Sequence, residues 1–210
     1  SGLLTTTSNI TTGAAGFSQT GTGLNSIGGN ITTADGPIAF ARGVTLTTDV
    51  TLSTGAGGVG DITLSGTVNG TTAGAEDLTL TAGTGNIILT GSVGGTTRVG
   101  VIDITSASNV TANAITAAAL KQDLGFGTTT LNGAVNTNTA AGVDLSGSNL
   151  AVNSSITTTG SGVVTLNEGN QVVIAAAGAI TADGAVNIAG AGNGIFTAGN
   201  ITTTGDTVAY

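Results

Sequence analysis

Apolar residues alternating with a period of two, glycine-rich turns between them, and recurrence of that pattern about every 21 residues predict an all-β chain wound as a parallel β-helix (β-solenoid) of about ten turns. The alternation is carried in chain order by Val44-Thr45-Leu46, Asp61-Ile62-Thr63-Leu64, Asp77-Leu78-Thr79-Leu80, Val101-Ile102-Asp103-Ile104, Thr129-Thr130-Leu131, Val143-Asp144-Leu145, Val163-Val164-Thr165-Leu166 and Val186-Asn187-Ile188. Each reads as one strand, because β-branched residues and Leu suit a pleated surface with one dry and one wet face. Taking Leu64, Leu80, Ile104, Leu131, Leu145, Leu166 and Ile188 as equivalent gives six intervals over 124 residues, individually from about 14 to about 27. Between the strands lie turn clusters such as Gly55-Ala56-Gly57-Gly58-Val59-Gly60, Asn69-Gly70, Gly83-Thr84-Gly85-Asn86, Gly94-Gly95, Asn132-Gly133, Glu168-Gly169-Asn170 and Gly190-Ala191-Gly192-Asn193-Gly194, which supply positive φ at low steric cost. Ala112 to Leu124 carries alanines that suit either a short helix or stacking inside a coil.

A unit of this length cannot bury its own apolar face, so it must stack on its neighbours. Turns advancing about 4.8 Å each give a rod about 48 Å long. Val, Ile, Leu and Ala fill its narrow interior, and Phe17, Phe40, Phe126 and Phe196 are expected to plug wider spots between turns. Residues 1–210 then form a single solenoid segment. The opening Ser1 to Thr7 has no initiating Met, basic region or apolar run, so the chain reads as an internal portion of a larger repeat protein.

The composition selects among alternatives. There are 37 glycines and 42 threonines in 210 residues, but 39% of residues are apolar and Pro37 is the one proline, which is too apolar for a disordered chain. No run of 18 apolar residues exists to span a bilayer as a helix. A transmembrane barrel requires strands of about ten residues and aromatic girdles, whereas the sequence has no Trp and Tyr210 as its single Tyr. A β-sandwich requires longer antiparallel strands around a bulkier core.

Chemistry is scarce. His, Cys, Met and Trp are absent, which removes imidazole bases, thiol nucleophiles and nearly every transition-metal site. A net charge of -8 with Arg42, Arg98 and Lys121 as the three cations does not suit nucleic acid or anionic lipid. Eleven carboxylates remain: Asp35, Asp49, Asp61, Glu76, Asp77, Asp103, Asp123, Asp144, Glu168, Asp183 and Asp206. Asp61 and Asp77 precede matching strands, and stacking there would be needed to set a glycosidase-type pair about 5–9.5 Å apart. No Lys, Arg or His lies near them, so they read instead as corner residues in solvent or capping backbone amides. Polysaccharide-lyase chemistry is excluded by the same shortage of cations. Gly57 to Leu64 partly echoes a calcium-binding nonapeptide, but Asp61 follows Gly60 directly where that pattern places a residue between them. No catalytic, cofactor-binding or metal residue is assigned, and the chain is not expected to be an enzyme. Thr-x-Thr pairs such as Thr45/Thr47 and Thr79/Thr81 offer a second reading, a flat hydroxyl face for ice or glycan. Sequons at Asn9, Asn30, Asn69, Asn109, Asn153 and Asn200 are what chance gives in a chain so rich in Asn and Thr.

The segments Ala82-Gly83-Thr84-Gly85-Asn86-Ile87-Ile88-Leu89-Thr90-Gly91-Ser92-Val93-Gly94-Gly95-Thr96-Thr97 and Gly199-Asn200-Ile201-Thr202-Thr203-Thr204-Gly205 are similar in style to repeats of filamentous-haemagglutinin-type large exoproteins and adhesins. The resemblance covers nearly all of the chain and implies a right-handed β-helical shaft, secreted across a Gram-negative envelope and displayed extracellularly on the bacterial surface. It transfers no functional residue, and that family's secretion-signal domain is not evident. The implied function is structural and adhesive. The expected partners are further coils, joined end to end or in the same chain, and a host or cell-surface glycan or protein receptor.

Overall fold

The computed structural model describes residues 3–210 as 25 short strands, with no helix among them. Every strand pairing is parallel. Successive strands do not pair with each other but with the strand one turn away, so the chain is a β-solenoid of about ten turns, each of roughly 21 residues.

Each turn contributes to three faces. The first face begins with Leu4–Thr6, Asn25–Ile27 and Val44–Leu46 and ends with Ile180–Ala182 and Ile201–Thr203. Its inward column runs Leu4, Asn25, Val44, Val68, Val93, Ile115, Val135, Ile156, Ile180, Ile201. On the second face the column is Ile10, Ile31, Leu52, Leu80, Ile104, Gln122, Leu145, Leu166, Ile188. The third carries Gln19, Phe40, Leu64, Leu89, Ala112, Leu131, Val152, Ile174, Thr197. The strands are three or four residues long on most rungs because two inward side chains and one outward residue span a face before the chain must turn.

The positions grouped as equivalent in the sequence belong to two columns. Leu64 and Leu131 lie on the third face, whereas Leu80, Ile104, Leu145, Leu166 and Ile188 lie on the second. That mixing explains the wide spread of the apparent intervals. Within the second-face column the longest step, Leu52 to Leu80, contains the loops at Gly55–Gly60 and Thr71–Glu76, and the shortest, Ile104 to Gln122, turns its corners without a loop. In that short rung Ile115–Gln122 is one continuous strand, with Ala117, Ala118 and Ala119 buried at the bend. The alanines therefore stack within a coil and do not form a helix. Methyl side chains let the strand round the corner without crowding the rungs on either side.

Phe40 is 1% exposed and packs against Phe17 with ring centroids 5.3 Å apart. Phe126 and Phe196 depart from expectation: they are 51% and 54% exposed. Phe196 occupies the outward middle position of Ile195–Thr197, and Phe126 sits in a corner turn after Gln122, so neither reaches the interior. No helix among the described residues is long and apolar enough to cross a membrane.

Candidate functional site

The outer surface is built mostly from hydroxyls and amides that hydrogen-bond from rung to rung. Asp61 Oδ1 accepts from the Asn86 backbone N–H at 2.7 Å and its side-chain amide at 3.0 Å, and Asn86 Oδ1 accepts from Asn109 Nδ2 at 2.9 Å. Asn109 Oδ1 then accepts from Thr128 N–H at 2.9 Å. Asp61 thus aligns with Asn86 and not with Asp77, which instead follows Asp49: Asp77 N–H donates to Asp49 Oδ1 at 3.0 Å, and Asp77 Oδ1 accepts from Val101 N–H at 2.6 Å. Both residues cap the backbone of the next rung. Five sequon asparagines do similar work, since Asn9, Asn30, Asn69, Asn109 and Asn153 each form a side-chain hydrogen bond to another rung.

The hydroxyl array is narrower than the Thr-x-Thr spacing suggests. On the first face one outward residue stands per rung, in the column Thr5, Ser26, Thr45, Asn69 and then, beyond the bridge at Val93, Thr116, Asn136, Thr157, Thr181, Thr202. On the second face paired hydroxyls persist for Thr51/Ser53 and Thr79/Thr81, after which the column becomes Asp103, Lys121, Asp144.

In that column Lys121 Nζ pairs with Asp123 at 2.6 Å, each side chain 44% exposed. The Asp123 hydrogen bond, with Asp103 and Asp144 on adjacent rungs, raises the Lys121 pKa, whereas burial raises that of Asp103. Arg98 straps across two rungs, donating to Ala117 O and, at 3.0 and 2.7 Å, to Asn136 O and Oδ1. Two of the three cations are therefore engaged by the fold itself.

The two buried glutamates have opposite surroundings. Glu76 closes the Thr71–Glu76 loop: its carboxylate accepts from Thr71 Oγ1, from Thr71 N–H at 3.1 Å and from Thr72 N–H at 3.1 Å. Burial pushes its pKa upward, but these donors outweigh that effect and hold it below the usual value. A lowered pKa contributes stability that is present above the unfolded value of 4.5 and is lost as pH falls through the folded one. Glu76→Ala is expected to cost about 1.5–3 kcal/mol at pH 7, the scale of hydrogen bonds to a charged group, and the loss should shrink below pH 4 in denaturant melts.

Glu168 has no such donors. It lies in phase with inward Val164 and Leu166 on the strand Val164–Ile174, is 0% exposed, and neither carboxyl oxygen has a hydrogen-bond partner. It faces Gly147 on the preceding rung, where a methyl group would lie 3.0 Å from Glu168 Oε2 and 3.2 Å from Gln122 Nε2. The missing side chain at Gly147 is the space that both groups enter. Gln122 is itself held in the core by Thr129 Oγ1, which donates to its Oε1 at 2.9 Å, and by its Nε2 donating to Ser146 O at 3.4 Å. Burial alone pushes the Glu168 carboxyl up to about 7. Outside this corner an open groove of about 530 Å³ is lined by Asp123, Phe126, Ser146, Ser148 and Asn167 together with Gly125, Gly147 and Gly169. Chemically, the corner can hold and release a proton on a carboxyl that is shielded from water. Among the described residues no three acidic, His or Cys side chains gather as metal ligands.

The sequence places Glu168 among scattered carboxylates and reads Glu168-Gly169-Asn170 as a turn, whereas the strand Val164–Ile174 runs through all three residues. The signal that places it inward is the alternation Val164, Leu166, Glu168, which becomes readable once the strand is seen to continue through the corner.

Exposed apolar side chains are spread along the rod, among them Leu3, Leu24, Val59, Phe126 and Phe196, and on the third face Ala151, Val173 and Phe196 follow one another outward. A second groove of about 500 Å³ there is lined by Val173, Ala175, Ile195, Phe196 and Ala198. Comparison with family models, with curated proteins and with solved structures gives no match for this chain.

Proposed function

We propose that this solenoid is a structural and adhesive shaft of a secreted bacterial surface or filament-forming protein of the filamentous-haemagglutinin type. It would act by extending rigidly and stacking end to end with further coils. The observation that carries the reading is the continuity of three interior columns over nine or ten rungs, sheathed by side chains spent on rung-to-rung hydrogen bonds. Such a body transmits load along its axis, because each added rung extends the same backbone ladder. Three Lys and Arg residues offer few sites to trypsin, and the absence of Cys and Met leaves little to oxidise outside a cell. Adhesion would fall to a glycan or protein receptor bound elsewhere along the shaft or at its tip.

Terminal rungs of a parallel coil present unpaired backbone groups, a template for another coil. Negative-stain electron microscopy of the purified 210-residue chain at increasing concentration is expected to show rods longer than the single-copy length of about 48 Å. Monodisperse short particles at high concentration would contradict the stacking.

The uninterrupted run Thr157, Thr181, Thr202 on the first face supports the second reading, recognition of ice or a glycan by an extended surface. Thermal hysteresis or a glycan array separates it from the first.

A further inference from the structure

We propose that the corner joining the second and third faces at Gly147 and Glu168 is a proton-operated latch: it is closed while the Glu168 carboxyl is neutral and opens locally when that carboxyl ionises. The inference is independent of what the shaft carries or binds.

The geometry leaves an ionised carboxylate without compensation. Glu168 is 0% exposed and both oxygens lack partners, although a buried charge is tolerated only when paired or amply hydrogen-bonded. The titratable groups on the elements packed around it are few. The strand Ile115–Gln122 and the turn after it supply Lys121 and Asp123, which pair with each other at the surface. The strand Val143–Val152 supplies Asp144, an outward, exposed residue. The strands Thr128–Leu131, Val186–Ala189 and Ile195–Thr197 supply none. Among the described residues no counter-charge reaches the carboxyl, and burial alone accounts for its raised pKa.

The same corner offers a route to water. Gly125, Gly147 and Gly169 line the surface groove, and Gly147 has no side chain to place between that groove and the Glu168 carboxyl. Outward displacement of Ser146–Ser148 or of the strand at Gly169 would hydrate the carboxylate without moving an apolar side chain. Gln122 Nε2 already faces the gap and would be the first protein donor to meet it. Glu76 shows the alternative solution within the same chain: a buried carboxylate kept charged by a loop folded around it.

The sign follows from the raised folded value. The closed corner is fully stabilised below about pH 4.5, and that stabilisation is lost as pH rises toward about 7, above which the loss is complete. Hydrogen–deuterium exchange on the full chain, corrected for intrinsic rates, reads this directly. Protection at Ser146–Ser148 and at Gly169–Asn170 is expected to fall about tenfold per pH unit across that window. Protection of the first-face strand Ile156–Thr158 is expected to stay level. Glu168→Gln and Glu168→Leu should each abolish the slope at the corner, and the Glu168 carboxyl carbon should titrate near pH 7 by NMR. The proposal is overturned by a flat pH profile in the wild-type chain, by an unchanged slope in both variants, or by a carboxyl that titrates in the ordinary glutamate range.

Discussion

Gly94→Ala is expected to destabilise the solenoid by about 2–5 kcal/mol, because two penalties coincide at one residue. Gly94 has a φ of 70°, and an added methyl group would lie 1.9 Å from Thr116 O on the next rung. The left-handed conformation costs a non-glycine residue about 1–2 kcal/mol, and forcing atoms into a packed site costs about 1–3 kcal/mol more. The local structure explains why relief is not available. At this rung the first face has no full strand: Val93 alone bridges Val68 and Ile115, and the chain is clamped by Gly94 N–H to Val68 O at 2.6 Å and by Thr116 N–H to Val93 O at 2.8 Å. Moving the backbone away from the methyl group would break both bonds. Equilibrium urea denaturation checks the expectation. A loss under about 1 kcal/mol would mean that the rungs are not packed at this point as described.

Phe40→Ala is expected to cost about 3–5 kcal/mol, the range for removing a buried aromatic side chain. Phe40 is the largest fully buried side chain among the described residues, stands between Gln19 and Leu64 in the third-face column, and packs against Phe17 on the preceding rung. Its loss leaves a cavity that a two-residue step between inward positions cannot refill. Phe126→Ala is the matched control: with half of its surface already in water, the change should stay within about 0.5 kcal/mol. Equal losses for the two variants would show that the third-face column is wrongly phased.

The difference between these phenylalanines also marks where the sequence stops being legible. The period-two alternation at Ile62-Thr63-Leu64 and Leu78-Thr79-Leu80 identifies strands, and the turn clusters identify corners, because both are local properties. The face to which a strand belongs is a long-range property. Leu64 and Leu80 look alike in sequence, and only the loop lengths between them decide that one continues to Leu89 and the other to Ile104. Corners hide phase in the same way. Alternation through the long strand Val164–Ile174 carries Glu168 inward, whereas at Phe126 a turn interrupts it and the ring is left in solvent. The candidate site was therefore not visible as a site. Its members Gln122, Gly147 and Glu168 are more than 20 residues apart in sequence, and they converge because successive rungs superimpose. The polar exterior was more readable, since Asp61 and Asp77 each precede a strand and do cap backbone amides, on rungs that local sequence does not assign.

The claim beneath all of this is that outward residues of one face lie in a straight stack, one rung apart. The chain has no cysteine, so spin labels can be placed at will. Ser18, Thr111, Ala151 and Val173 occupy the outward column of the third face, the last three being four, six and seven rungs beyond Ser18. Double electron–electron resonance from Ser18→Cys to each of the other three, substituted likewise, is expected to give distances near 19, 29 and 34 Å, about 4.8 Å per rung. Distances that fail to grow with rung number, as antiparallel hairpins would produce, would contradict the solenoid and the shaft inferred from it.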